Sequence, residues 1–110
     1  MKMKEKYKIE FQKTVGSNGI VFCYADNATI DNAELAHHLV CSSKMATEQQ
    51  IKDLEIALQG GIIQEDWGET RGSSLYIYTS EGNVQVGYSA SKIPITDFKQ
   101  LLEEWLAFIS

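Results

Sequence analysis

The residues of this chain that could do chemistry are two adjacent histidines, two cysteines and a few neighbouring carboxylates. His37 and His38 fall in a stretch read as helix. Consecutive helical positions point roughly 100° apart, so the pair is poorly set to share one metal ion. Cys23 sits in an apolar run and reads as a small buried hydrophobe, while Cys41 falls near a helix end. Neither has a neighbour that would activate a thiolate, and two cysteines are too few for a disulfide-stapled secreted domain. Glu65-Asp66 and Glu103-Glu104 are adjacent in sequence only. General acid–base work needs an environment that separates two carboxyl pKa values, and nothing here supplies one, so they read as surface carboxylates. No G-x-S-x-G elbow occurs. Gly16-Ser17-Asn18-Gly19 joins two expected strands and does not open a helix, so it is a turn and no phosphate loop. No catalytic residue, metal ligand or cofactor is expected.

The polar stretch with most to offer is 65–71, which reads E-D-W-G-E-T-R. A tryptophan among acids and glycines serves either as an interface anchor or as a core residue closing a strand end. Charge favours recognition over catalysis. Residues 1–13 hold five lysines and two glutamates, a local charge of +3, within a chain of net charge −5, leaving −8 for the remainder. Such a chain is a poor ligand for nucleic acid, whose phosphates need Lys and Arg. It suits a basic protein partner, whose approach it would steer. Acid density peaks in the connecting segments, so Asp26, Asp31, Glu34, Glu65, Asp66, Trp67 and Glu69 are the expected contacts.

The elements that must position these residues follow from periodicity. Residues 5–15 alternate, with Tyr7, Ile9 and Phe11 on one face, and residues 20–25 form an apolar run, so a hairpin is expected. Residues 31–41 read as a helix with Leu35 and Leu39 inward, with an irregular strand as the alternative. A second helix is expected to start at Thr47, whose T-E-Q-Q spacing is that of a capping box, to bury Ile51, Leu54 and Leu58, and to end at Gly60-Gly61. Strands are expected at 62–67, 75–79 and 84–88, with a loop at 68–72 and a tight turn at Glu81-Gly82. Pro94 breaks the chain before a final helix capped by Thr96, whose Ile95, Phe98, Leu101, Leu102, Trp105, Leu106 and Ile109 form an apolar stripe. The order β-β-α-α-β-β-β-α predicts an α+β fold: a mainly antiparallel sheet of about five strands, three helices, and the C-terminal helix packed on the sheet. The length fits a single domain over 1–110, and 44% hydrophobic residues suffice for an ordinary core. The lysine-rich start has no apolar run behind it, so no signal peptide is expected, and a cytoplasmic protein is.

Three segments, W-G-E-T-R-G-S-S-L-Y-I-Y, N-V-Q-V-G-Y and I-T-D-F-K-Q-L-L-E-E-W-L-A-F-I, are preceded by a T-E-x-x-I-x-x-L helix at Thr47, Glu48, Ile51 and Leu54. Together they resemble the small bacterial immunity proteins of contact-dependent growth inhibition and related polymorphic toxin systems. The resemblance covers residues 47–110 well and the first half loosely. It implies a non-catalytic cytoplasmic inhibitor, bound 1:1 to the C-terminal domain of a cognate toxin, often a nuclease whose basic cleft an acidic inhibitor can occupy. The alternative is a small acidic adaptor or secretion chaperone for an effector, which would usually be dimeric.

Overall fold

The computed structural model describes residues 2–13, 21–25, 30–42, 44–63, 65–70, 73–87 and 92–109. The first alternating stretch divides into two elements, a helical turn α1 (Met3–Lys6) and a strand β1 (Ile9–Lys13). The strand thus starts at Ile9 and not at residue 5, because the preceding turn is held from elsewhere. Its N-cap residue, Lys2, makes no side-chain cap bond. Instead the carboxylate of Glu104 accepts the Met3 N–H at 2.7 Å and the Lys4 N–H at 3.0 Å, satisfying donors that a helix start leaves open. The chain reverses through Lys8, whose φ of 55° lies in the left-handed region. Alternation then holds: Ile9 and Phe11 are buried, while Lys8, Glu10 and Gln12 are exposed.

Strand β2 (Val21–Ala25) pairs antiparallel with β1, from Ile9 opposite Ala25 to Lys13 opposite Val21, which makes the expected pair. Helix α2 (Ile30–Cys41) follows and buries Leu35, Ala36 and Leu39. It packs on β2 at one side and reaches a second sheet at the other. Helix α3 (Lys44–Leu58) begins three residues before Thr47. Thr47 is therefore a fully buried interior residue and no cap. The α2–α3 junction is too short for a separate capping box. Ser42 closes α2 itself, donating from Oγ to the His38 carbonyl at 2.9 Å. Leu54 is buried and Ile51 packs on the core, but Leu58 lies exposed in the last turn. Gly60 ends the helix at φ 84°, with Gly60 N–H bonded to Ala57 O and Gly61 N–H to Ile56 O, the paired bonds of a Schellman motif.

Four strands form the second sheet: β3 (Asp66–Thr70), β4 (Ser73–Tyr78), β5 (Asn83–Val86) and β6 (Ile93–Pro94), in that spatial order and all antiparallel. The expected strand at 62–67 is displaced toward the C-terminus. Ile62 is 99% exposed, and residues expected as a loop continue the strand to Thr70. Pairing is anchored where Ile77 N–H donates to Glu65 O, and a bulge between Asp66 and Glu69 takes up the extra residue. Gly82, at φ 72°, makes the tight turn between β4 and β5. Pro94 closes a two-residue edge strand, where its missing N–H is no loss.

Helix α4 (Ile95–Ile109) starts directly from β6, with Ile95 N–H donating to Gly82 O. Thr96 therefore lies exposed inside the first turn and is no N-cap. Ile95, Phe98, Leu101, Leu102 and Trp105 are buried, and α4 packs against α3, α1 and strands β5 and β6. One hydrophobic cluster unites these with Leu75, Ile77, Val84 and Val86 of the sheet and Ile9 and Phe11 of β1. The fold is α+β, as expected. It differs in having six strands in two sheets and a fourth, short helix among the described residues. The turn at 16–19, Asp26 and Tyr88 lie outside the described residues, as do the side chains of Cys23, Asp31, Cys41 and Glu69. No helix among the described residues is long and apolar enough to cross a membrane.

Candidate protein-binding surface

Alternation along β4 sends Leu75 and Ile77 into the core and Tyr76 and Tyr78 to the other face. Tyr76 is 37% exposed, and its ring centroid lies 4.5 Å from that of Tyr78, tilted by 38°. Register places Asp66 of β3 and Gln85 of β5 directly opposite Tyr76, so three strands contribute one row. Tyr78 is fixed from two sides. Its hydroxyl donates to Gln85 Oε1 at 3.1 Å, and the Lys92 ammonium lies 4.0 Å from its ring centroid. Lys92 is held in turn by the Glu81 carboxylate at 3.0 and 3.3 Å. The result is an aromatic pair with restrained side chains, a polar fringe and an exposed acid at its margin. Tyrosines of this kind offer large contact area at small entropic cost.

Among the described residues, the expected contacts are spread along the sheet and are not gathered at one place. Asp66 joins the tyrosine row on edge strand β3. Trp67 is half-buried and packs on the core. Glu65 has a structural task. Its carboxylate accepts the Thr79 N–H at 2.9 Å and the Thr79 hydroxyl at 2.8 Å, clamping the end of β4. These bonds favour the charged form and hold the carboxyl below its ordinary range. Glu34 lies at the opposite end of the sheet. Its carboxylate occupies the space that a Cβ on Gly87 would need, and Gly87 N–H donates to Ser74 O, whose residue pairs with the backbone of Glu69. Glu34 and the Glu69 backbone thus share one sheet end, and Glu65 takes the other. Asp26 and the side chain of Asp31 lie outside the described residues.

The histidines diverge, with His37 exposed and His38 buried. His38 Nε2 and Gln50 Oε1 are 2.8 Å apart, joining α2 to α3, and Gln50 Nε2 donates to Ser42 Oγ at 3.4 Å. The His38 ring also lies 5.7 Å from that of Phe98 on α4. Burial is the largest influence on its pKa and lowers it, the Gln50 bond opposes this, and His37 adds to the lowering. Among the described residues no three His, Cys, Asp or Glu side chains come close enough to hold a metal ion.

Glu104, expected as a surface carboxylate, and Asp97 are both bound to the N-terminal turn. Glu104 caps it, and Asp97 Oδ2 accepts the Tyr7 hydroxyl at 2.6 Å and the Lys6 ammonium at 2.7 Å. Desolvation alone would raise the Asp97 pKa, but the bonds from Lys6 and Tyr7 outweigh it and the net shift is downward. The tyrosine pair lies outside the expected contact residues. Its signal was present in L-Y-I-Y, where two aromatics alternate onto the face opposite the core. Comparison of the chain with protein-family models, curated proteins and solved structures found no match.

Proposed function

We propose that this protein is a non-catalytic immunity protein that binds and neutralises a bacterial toxin domain, and that the open face of the four-stranded sheet is its docking surface. The observation that carries the reading is the restrained pair of exposed Tyr76 and half-buried Tyr78, with Asp66 in register opposite Tyr76. Aromatic anchors with an acidic margin suit a basic protein partner better than a small substrate. The charge of −8 beyond residue 13 supports it, since it speeds encounter with a basic domain such as a nuclease. The resemblance of residues 47–110 to immunity proteins supplies the partner class. On this reading the complex is 1:1 and cytoplasmic, and the inhibitor blocks the active site or the approach of substrate.

The test is co-expression with the C-terminal domain of the effector encoded beside this chain, followed by co-purification and a growth-protection assay. Tyr76→Ala with Tyr78→Ala is expected to weaken binding by 2 kcal/mol or more, about 30-fold, with the fold retained. Asp66→Lys is expected to lower the association rate and its salt dependence. Reversing Glu65 is a poorer probe, because it breaks the Thr79 clamp as well. Absence of both binding and protection overturns the function. Tight binding by the tyrosine double variant overturns the surface.

A further inference from the structure

A second surface has the opposite charge. A cleft of about 320 Å³ opens between α1, β1 and the last turns of α4, lined by Lys2, Lys4, Phe11, Glu104, Ala107 and Phe108. Its floor is a linked aromatic cluster. Phe11 lies 5.1 Å from Trp105 and 5.4 Å from Phe108, and Trp105 stacks on Phe108 at 6.0 Å. Trp105 is buried but Phe108 is 38% exposed, so the cluster runs from the core to the surface. Its rim is cationic. The Lys4 ammonium lies 5.2 Å from the Phe11 ring centroid, and Lys2 is exposed. Lys6, Lys92 and Lys99 are in ion pairs, but Lys2 and Lys4 have none among the described residues. The one acid in the cleft is already engaged. Glu104 Oε2 accepts from Met3 N–H and from Gln100 Nε2 at 3.0 Å, and Oε1 from Lys4 N–H.

We propose that this cleft docks an acidic peptide segment through one aromatic or large apolar side chain. The volume is at the small end of ligand pockets, about 300–1,000 Å³, so it fits a single side chain and not a folded surface. The floor offers a ring contact to that side chain, and the two lysines offer charge to acids flanking it. A basic segment is disfavoured here by like charge. The cleft therefore serves a different partner chemistry from the tyrosine face, and its test needs no toxin.

The probe is a blocked five-residue peptide with a central phenylalanine between pairs of acidic residues, titrated into the isotope-labelled full chain at low salt. Saturable amide shifts are expected at Lys2, Lys4, Phe11, Ala107 and Phe108, with half-saturation on the order of 0.1–1 mM. Affinity should fall about tenfold or more in Lys2→Glu with Lys4→Glu, and also in Phe108→Ala. Lys44→Glu with Lys52→Glu, an equal charge change on α3, should leave it within about twofold apart from screening. Circular dichroism of each variant establishes that it is folded. The proposal is overturned if no saturable shift appears at the cleft. It is also overturned if the peptide with lysines in place of its acids binds as well, or if the α3 variant loses as much affinity as the cleft variant.

Discussion

Glu104 holds the start of the chain to its last helix, and removing that carboxylate is the most direct test of the fold. In Glu104→Ala the N–H groups of Met3 and Lys4 lose their acceptors, and Gln100 loses its partner. A side-chain cap contributes about 0.5–2 kcal/mol, and a hydrogen bond to a charged group about 1.5–3 kcal/mol. Both bonds are only partly buried, so water recovers part of the loss. The expected cost is about 2 kcal/mol, or roughly 8 °C in Tm for a chain of this size. Glu104→Gln keeps one acceptor oxygen without its charge and should cost about half as much. Urea unfolding measures the total, and amide exchange locates it. Met3 and Lys4 should be protected in the parent chain and exchange at unstructured rates in the alanine variant. A cost below about 0.5 kcal/mol, with both amides already unprotected in the parent, would refute the capping argument.

Three further outcomes are expected. The folded pKa of His38 lies below its ordinary 6.5, so the unfolded chain takes up that proton first as pH falls. His38 thus leaves stability whole above about pH 6.5 and erodes it toward the lower folded pKa, by at most about 1.4 kcal/mol per pH unit. Urea midpoints near neutrality and in mild acid should separate more in the parent than in His38→Gln, and equal separations would count against the argument. Trp105→Ala should cost about 3–5 kcal/mol, since the side chain is buried at the junction of Phe11 and Phe108, and any loss of binding should track loss of the folded fraction by circular dichroism. Lys8→Gly should be neutral or stabilising by up to about 1 kcal/mol, because it relieves a left-handed backbone. Lys8→Val should destabilise, and thermal denaturation of the pair gives the sign.

Apolar periodicity carried most of the architecture. The stripe of α4, the inward Leu35 and Leu39, the Gly60 stop and the Leu75/Ile77 alternation are local patterns that packing preserves. The misread positions depend on partners distant in sequence. Thr47 has the spacing of a cap, but the short link from α2 draws it inside a helix. Ile62 has the composition of a strand, but Glu65 pairs with Ile77 and Thr79 and starts the ladder later. Residues 5 and 6 belong to the alternating stretch but lie in a helical turn, because Glu104 caps its start. The site was less legible for a related reason. Acid density marked segments of sequence, while the sheet register decided that Asp66 meets Tyr76, Glu65 serves Thr79 and Glu34 lies by Gly87.

The Met3–Glu104 contact spans 101 positions and sets an order of assembly during synthesis. A ribosome releases the first turn long before the carboxylate that completes it, and the same holds for Tyr7, which waits 90 positions for Asp97. A four-residue turn cannot persist alone, since helix nucleation is unfavourable without propagation. The lysine-rich start must therefore travel as unstructured chain while the hairpin and the middle helices form. Closure over such a long loop comes late, when α4 emerges. A nascent chain stalled before Asp97 should leave its first lysines open to trypsin, and one released past Glu104 should not.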